Sequence, residues 1–380
     1  MVRFQALAII LVASLAVWCI PLLAAGDEAL DPAGLNPSAR CNQCHLEIYS
    51  MWKRSMHGGS TTDPIFEASY LQAYAEAGEQ ARNFCFRCHA PGVSLVKSKE
   101  ARELFKAEGI TCDYCHSVVS VDLQKRNQPF TVKLDGIKRG PLRDTESPVH
   151  EVARSPLHET AEFCAGCHEY TNDLGVPIFS TYTEWKDSPQ AAEGKTCQQC
   201  HMPLTPGATV RPGLGKDRRL INLHDISGGH SREQVIKAAT VKILGVRREK
   251  ESTAAVEVEV ANVGSGHSIP TGLPSRKIIL DVVLYADNHE VRRFERRYQK
   301  RLLDDSGKVI VLDHRMLMNA HKVLEDNRLM AGERRIERFS GSVPRNGSLR
   351  VEAKLTYVYE PEILLRKEMS IEITSDTYSP

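Results

Sequence analysis

Residues Cys41-Asn42-Gln43-Cys44-His45 are the first of five segments with one pattern: two cysteines three positions apart, and a histidine directly after the second. The other four are Cys85-Phe86-Arg87-Cys88-His89, Cys112-Asp113-Tyr114-Cys115-His116, Cys164-Ala165-Gly166-Cys167-His168 and Cys197-Gln198-Gln199-Cys200-His201. Together they use ten of the eleven cysteines. The same kind of site is therefore expected five times in this chain.

The pattern C-x-x-C-H is typical of c-type haem attachment. Two cysteines three residues apart face the same side of a helical turn, so both can form thioether bonds to the vinyl groups of one haem. The adjacent histidine then reaches the iron as its proximal ligand. The sequence predicts five covalently bound haem c groups, with proximal ligands His45, His89, His116, His168 and His201 and attachment at Cys41, Cys44, Cys85, Cys88, Cys112, Cys115, Cys164, Cys167, Cys197 and Cys200.

Zinc and disulfides are the competing interpretations of these cysteines. A structural zinc ion needs four ligands closing a tetrahedron, and neighbouring Cys and His side chains diverge on a helix. Five short disulfide loops would not require a histidine each time. The complete set therefore favours haem over either alternative.

Composition narrows the class of protein. The chain has 380 residues, of which 42% are hydrophobic and 26% charged, and its formal net charge is +1. These values exclude a disordered chain and a strongly basic nucleic-acid binder. Aromatic residues make up only 6%, so porphyrins are expected to fill part of the interior. Five ferric haems with their propionates would bring the net charge to about −4, which favours docking of basic redox partners.

The N-terminus predicts export. After Arg3, an apolar run extends from Phe4 to Ala25 and ends in small residues, which is typical of a cleaved secretory signal. An uncleaved membrane anchor is the alternative, because about 20 apolar residues can span a bilayer. We expect a signal peptide at 1–25, a periplasmic or extracellular location, and membrane association only through an uncleaved N-terminus.

A repeat organises the motif-bearing part of the chain. The first copy consists of Phe84-Cys85 followed by Glu108-Gly109-x-Thr111-Cys112, and the second consists of Phe163-Cys164 followed by Glu193-Gly194-x-Thr196-Cys197. A second repeat relates Tyr49-x-x-Trp52-Lys53-x-Ser55 to Tyr182-x-x-Trp185-Lys186-x-Ser188. The sequence thus predicts a two-haem unit used twice, with the aromatic side chains packing on porphyrins.

Hydrophobic patterning predicts two domains. Residues 26–233 are expected to form a mainly α pentahaem domain with little regular structure between haems, including helices at Pro64–Arg82 and Ser98–Ala107 and a surface excursion at 124–143. Residues 234–380 contain no cysteine and alternate in polarity, which predicts an all-β, sandwich-like domain. Its strands are expected at Thr240–Val246, Val256–Val260, Lys277–Ala286, Val309–Leu312, Arg335–Gly341, Leu349–Tyr357 and Ser370–Thr374. The run from Arg292 to Arg301 is interpreted as a solvated strand face or turn.

Nine histidines outside the motifs could supply the sixth iron ligand. His57, His150 and His158 lie among the motifs. His224 and His230 flank a Gly-rich loop, and the sequence does not determine which of these two is an iron ligand. His267 lies in a turn-rich loop between two predicted strands. For each, an exposed or structural histidine is the alternative. The remaining three, His289, His314 and His321, are expected at the surface.

The chain resembles multihaem c-type cytochromes related to the tetrahaem electron acceptor of hydroxylamine oxidoreductase. The resemblance is carried by Cys41 through His57, by Gly109-Ile110-Thr111-Cys112, by Tyr182-x-x-Trp185-Lys186-x-Ser188, and by Cys197 through Pro203. The segment Gly266–Gly272 resembles a loop of members with an appended β-domain. The resemblance implies stacked haem pairs, mostly bis-histidine ligation, and distal ligands at His57, His150 or His158, His224 and His267. Haem number and the β-domain depart from that family's pattern.

Three functions follow from these predictions. The leading one is an exported electron carrier without catalytic residues, exchanging electrons with redox protein donors and acceptors. The alternative is an oxidoreductase in which one iron lacks its distal imidazole and acts on a small nitrogen or sulfur compound. The third is a subunit of a polymeric conductor, that is, a homo-oligomer or filament.

Overall fold

The structure is a computed structural model, and it describes residues 34–214, 219–250, 252–359, 361 and 369–379. The predicted signal at 1–25 lies outside these described residues. Within them, no helix has the length and apolar character needed to cross a membrane. We call residues 34–235 the haem-motif region and residues 239–379 the β-rich region.

Short helices dominate the haem-motif region, as the sequence predicts. They are α1 (Ser38–Asn42), α2 (Leu46–Arg54), α3 (Pro64–Ala77), α4 (Glu79–His89), α5 (Lys99–Glu108), α6 (Cys112–Ser117), α7 (Ala161–His168), α8 (Thr181–Lys186), α9 (Pro189–Ala192), α10 (Cys197–His201) and α11 (Arg232–Val235), with 3-10 turns at Pro91–Leu95 and Pro156–Glu159. In the second, fourth and fifth motifs the histidine is the last residue of a helix. The third motif lies within α6, whereas α1 ends at Asn42, before Cys44 and His45 of the first motif.

Four two-stranded ribbons lie between the helices, which the sequence patterning did not predict. Their strands are β1 (Val118–Val121), β2 (Phe130–Val132), β3 (Lys138–Gly140), β4 (Val152–Arg154), β5 (Glu169–Thr171), β6 (Pro177–Ser180), β7 (Leu204–Gly207) and β8 (Arg219–Asn222). Consecutive strands pair, and only β3 with β4 is parallel. Strands of three or four residues are too short to show an alternation of polarity in the sequence. For this reason β2 and β3 were not predicted within 124–143, which was interpreted as a surface excursion.

The helix expected at Pro64–Arg82 is two helices. Asp63 caps α3 by accepting a hydrogen bond from the amide of Phe66 (2.9 Å). Gly78 then separates α3 from α4 with φ of +54°, a conformation that side-chain-bearing residues rarely adopt. The break sends α4 in a new direction and places the second motif at its end.

The sequence repeat is also a structural repeat. The indole Nε1 of Trp52 donates to the carbonyl of Ile110, and that of Trp185 donates to the carbonyl of Lys195, both at 2.8 Å. Ile110 and Lys195 hold the same position in the two copies, directly after Gly109 and Gly194. Each tryptophan therefore ties its helix to the segment that begins a motif.

The β-rich region contains two antiparallel sheets. Its elements are β9 (Ala239–Lys250), β10 (Thr253–Asn262), β11 (Arg276–Ala286), β12 (His289–Leu303), α12 (Asp313–Asn319), β13 (Lys322–Asp326), β14 (Arg334–Ser342), β15 (Leu349–Tyr359) and β16 (Met369–Tyr378). One sheet has the order β14-β10-β9 and the other β13-β12-β11-β15-β16. Apolar residues of both, among them Val258, Leu280 and Leu355, share one buried cluster. The expected β-rich C-terminal region is thereby confirmed.

Two expectations for this region were wrong. Val309–Leu312 is not a strand; it makes one isolated bridge, Val309 with Leu303, before α12 begins. His314 is buried rather than at the surface.

The arginine-rich run lies within the 15-residue strand β12, most of which pairs with β11. Of the two interpretations given for it, the solvated strand face is therefore confirmed. Long arginine side chains can lie on a strand surface and pair with glutamates, as Arg296 does with Glu337 at 3.1 Å.

A small apolar cluster joins the two regions. Ile178 of β6 packs with Leu302 of β12 and Met316 of α12, and all three are buried. Beside it, the side-chain amide of Asn172 donates to the carbonyl of Ala320 at 2.7 Å. The β-rich region is therefore packed against the haem-motif region, and its loops can reach the motif histidines.

Candidate functional site

Most of the motif histidines are held in the same way. In each of four, the ring Nδ1 contacts a backbone carbonyl oxygen: His45 with Thr209 (2.5 Å), His89 with Ser60 (3.0 Å), His116 with Arg139 (2.5 Å) and His201 with Ser227 (2.6 Å). An imidazole that donates from Nδ1 carries its free lone pair on Nε2. This arrangement fixes the tautomer and ring orientation typical of metal-ligating histidines.

Four of the five motif histidines face a second imidazole. The ring centres are 6.2 Å apart for His45 and His150, 6.3 Å for His168 and His57, 6.5 Å for His116 and His224, and 6.4 Å for His201 and His267. Two imidazoles bound through Nε2 to opposite sides of one metal have ring centres about 6 Å apart. These spacings fit an iron between the rings and are too long for direct packing.

Three of the partner histidines repeat the Nδ1 pattern. His150, His224 and His267 place Nδ1 at 3.0, 2.8 and 3.0 Å from the carbonyl oxygens of Glu151, Asn222 and Ser268, respectively. His57 is anchored instead through its backbone, because its carbonyl accepts from the amide of Ile110 at 3.0 Å. The Nδ1 contacts therefore direct Nε2 of His150, His224 and His267 away from the backbone carbonyl.

His116 has two histidine neighbours, and they differ in orientation. His158 lies 5.7 Å away, but its Nε2 is 3.1 Å from the carbonyl of Cys115, and its buried Nδ1 has no partner among the described residues. His224 instead has its Nδ1 2.8 Å from the carbonyl oxygen of Asn222, which directs Nε2 away from that carbonyl. His230, the other histidine of the Gly-rich loop, lies edge-on to Tyr359 at 6.1 Å and faces no motif histidine among the described ring contacts.

His89 differs from the other motif histidines. Its ring packs on Phe66, with centres 4.1 Å apart and planes 24° apart, and no second imidazole is among its ring contacts in the described part of the chain. The aromatic stack continues from Phe66 to Tyr70 (5.9 Å) and from Tyr70 to Phe86 (5.0 Å). Sequence reasoning missed Phe66; its place three residues after the helix cap Asp63 gave no sign of contact with a motif.

Burial favours the neutral form of seven imidazoles at the site. It lowers the pKa of His57 to about 3 and the pKa values of His168, His224 and His267 to about 4, and nearby histidines lower them further. The pKa values of His45, His89 and His116 are lowered mainly by the same loss of solvation. A neutral imidazole is the form that binds a metal.

The motif cysteines bring different motifs together. None of the ten forms a disulfide in the described part of the chain. Cys41 lies close enough to Cys112 to change its pKa, and the same holds for Cys88 with Cys167 and for Cys164 with Cys197. The first motif therefore adjoins the third, the second adjoins the fourth, and the fourth adjoins the fifth. Their residues fit a closely spaced set of thioether-bound haems, and the sequence alone could not supply this order.

Comparison with known proteins agrees with this arrangement. The family model for cytochrome c554 and c-prime matches residues 40–117, which contain the first three motifs. No curated protein matches the chain. Among solved structures, a penta-haem cytochrome c552 from Thermochromatium tepidum is similar over 92% of this chain and 100% of its own, with a TM-score of 0.71 and 22% identity. The chain thus has a multihaem c-type cytochrome fold.

A second solved structure is only weakly similar. The CARDB domain of PF1109 from Pyrococcus furiosus is 18% identical and covers 37% of this chain and 91% of its own, with a TM-score of 0.17. A score this low carries no argument about the fold.

Proposed function

We propose that the chain is an exported pentahaem c-type cytochrome that transfers electrons along mostly bis-histidine haems between redox proteins. The observation that carries this proposal is the set of four histidine pairs with ring centres 6.2–6.5 Å apart. Haem supplies one-electron chemistry, and an iron held between two imidazoles is closed to substrate. The chain's own contribution is to hold, order and shield these groups.

The proposal assigns a ligand pair to each of four irons. His150 is the distal ligand opposite His45, His57 opposite His168, His224 opposite His116, and His267 opposite His201. The Nδ1 contacts of His150, His224 and His267 support this assignment, because they aim Nε2 away from the backbone carbonyl. His158 is assigned no ligand role, since its Nε2 already lies against the carbonyl of Cys115.

The cysteine contacts support a continuous electron path. The first motif adjoins the third through Cys41 and Cys112. Cys115 of the third motif lies within electrostatic range of Cys164 and Cys167 of the fourth, which in turn adjoins the fifth through Cys197. The second motif joins the path at the fourth. Every haem therefore has at least one neighbour to exchange electrons with.

Domain roles complete the proposal. Residues 1–25 direct export, residues 26–233 carry the haems, and residues 234–380 form a sandwich-like β-domain. His267 is the distal candidate that the β-domain supplies, and Ser268 of the same loop donates to Glu184 of α8 at 3.1 Å. The β-domain thus supplies the distal ligand of the haem at the fifth motif, opposite His201, in addition to being an appended domain.

Intact mass spectrometry of the denatured protein, made with cytochrome maturation factors, tests this function. We expect the polypeptide mass plus five haems, together with reversible uptake of five electrons in a reductive titration. A bare polypeptide, or haems that leave on denaturation, would refute covalent attachment. A matched variant, Cys41→Ser with Cys44→Ser, should carry four haems.

A second function is favoured by one observation, the absence of an imidazole opposite His89 among the described ring contacts, where Phe66 packs instead. An iron with an open position can bind a small nitrogen or sulfur compound, with the other four centres supplying electrons. Carbon monoxide added to the reduced protein tests this. If carbon monoxide binds at one haem per chain and the protein also turns over such a compound, the protein is an enzyme. If carbon monoxide binds but no compound is turned over, the protein is an electron carrier.

A further inference from the structure

A group of polar side chains lies where the β-rich region meets the haem-motif region. Arg276 begins β11 and stands opposite Tyr359 of β15, while Ile278 stands opposite Tyr357. Residues two apart on a strand, and residues directly opposite on paired strands, share a face of the sheet. Arg276, Tyr357 and Tyr359 therefore project together. His230 joins them from the Gly-rich loop, with its ring 6.1 Å from that of Tyr359.

Two donors in this group are buried and unpaired. Tyr357 is only 5% exposed, yet its hydroxyl has no hydrogen-bond partner among the described residues. The Nε–H of Arg276 is likewise buried without a partner there. Native proteins leave few such groups unsatisfied, because burial removes their hydrogen bonds to water. A missing acceptor therefore belongs between these residues.

Two glycines leave room for that acceptor. A Cβ atom at Gly229 would lie 2.8 Å from the Tyr357 hydroxyl and 3.4 Å from Nη1 of Arg276. A Cβ atom at Gly272, where φ is +84°, would lie 2.9 Å from the same Nη1. Any larger residue at either position would fill the space in front of the guanidinium. The backbone on both sides is thus shaped around the two donors.

Arg276 contacts two neutral groups. Its Nη1 donates to the carbonyl of Thr271 at 3.2 Å, and its guanidinium carbon lies 5.1 Å from the ring centre of Tyr359. The carboxyl of Asp313 also acts on Arg276 electrostatically. Its Oδ2 accepts from the hydroxyl of Tyr359 at 3.0 Å, its Oδ1 has no hydrogen-bond partner among the described residues, and burial raises its pKa, which favours the uncharged form. Asp63 is engaged by the amide of Phe66. The pocket therefore presents a cation and a hydroxyl donor.

We propose that Arg276 and Tyr357, bordered by Gly229, Gly272 and His230, form an anion site that takes a carboxylate or a small oxyanion. A planar guanidinium and a phenol hydroxyl match two oxygens of one such group. The anion has two possible sources, a propionate of a neighbouring haem or a free oxyanion from solution. The first rests on the proposed haems, and the second does not.

Calorimetric titration of the oxidised full-length protein with acetate and with nitrate, at constant ionic strength, tests the free-anion source. We expect saturable binding that Arg276→Gln weakens about 10- to 100-fold, with a smaller loss in Tyr357→Phe. Arg293→Gln and Tyr285→Phe are matched controls, since both side chains lie on the sheet surface with glutamate partners. Neither control should change binding.

Redox titration in anion-free buffer tests the propionate source. If a propionate fills the site, the wild type binds neither probe, and both Arg276→Gln and Tyr357→Phe lower the midpoint potential of one haem relative to their controls. That direction follows because the variants leave the carboxylate charge less compensated, which favours ferric iron.

The proposal is overturned if the wild type binds neither probe and Tyr357→Phe has the same potentials as Tyr285→Phe, or if probe binding is equal in Arg276→Gln and the wild type. Water would then satisfy both donors. The haem count by mass separates this result from failure of the proposed function, because it is measured on the same sample and does not depend on anion binding.

Discussion

Oε1 of Glu184 lies 2.6 Å from Nη2 of Arg328, and both side chains are largely buried. The pair links α8 of the haem-motif region to the segment between β13 and β14. Glu184 also accepts from the amide of Ser268 at 3.1 Å, and Arg328 donates to the carbonyl of Pro270 at 3.2 Å. This network therefore holds the loop that carries His267 from both sides.

Removing Arg328 should destabilise the protein strongly. Arg328→Met leaves Glu184 buried without its cation, and breaking a buried pair costs about 3–5 kcal/mol. Urea denaturation of the purified protein measures the loss. The matched control is Arg334→Met, because the Arg334 side chain is 61% exposed and its pair with Glu259 should contribute less than about 1 kcal/mol. Equal losses in the two variants would show that the buried pair has no special role.

His224 and His230 can be separated by spin state. His224→Ala should convert one haem per chain from low-spin to high-spin, because it removes the imidazole that faces His116. His230→Ala should leave the spin state unchanged, since its ring lies against Tyr359. Optical and magnetic circular dichroism spectra of the oxidised variants measure the change. The assignment fails if His230→Ala, rather than His224→Ala, produces the high-spin haem.

Equivalent glycines of the repeat should tolerate alanine differently. Gly109 and Gly194 have φ of +68° and +73°, so alanine is strained at both, at a cost of about 1–3 kcal/mol. A Cβ atom at Gly109 would also lie 2.6 Å from the carbonyl oxygen of His57, whereas at Gly194 nothing is within 4 Å. We expect Gly109→Ala to lose at least about 1 kcal/mol more in thermal or urea unfolding, and to disturb the haem ligated by His57. Matching losses would argue against close packing at His57.

Much of the site was predictable because its chemistry is local. Five C-x-x-C-H segments specify thiols and imidazole within five residues, and no long-range contact is needed to recognise them. The β-rich region was predictable for a similar reason, since Val256, Val258 and Val260 alternate with glutamates on one strand. Residue type and spacing carried both conclusions.

Pairing between distant residues was not predictable. His57 faces His168 across 111 positions of the chain, and only the fold determines that His150, rather than His158, faces His45. The extent of strand β12 was left open because its run of arginines is compatible with a strand face or a turn, and the helix break at Gly78 depends on a single backbone angle. Phe66 at His89 left no sign, since a phenylalanine in an amphipathic helix packs equally well in an ordinary core.

Electron paramagnetic resonance of the oxidised protein, integrated against the haem content of the same sample, tests the central claim most directly. Four irons between paired imidazoles and one without predict low-spin and high-spin ferric signals in a ratio of four to one per chain. A spectrum of five low-spin irons would contradict the open position at His89, and two or more high-spin irons would contradict the histidine pairs.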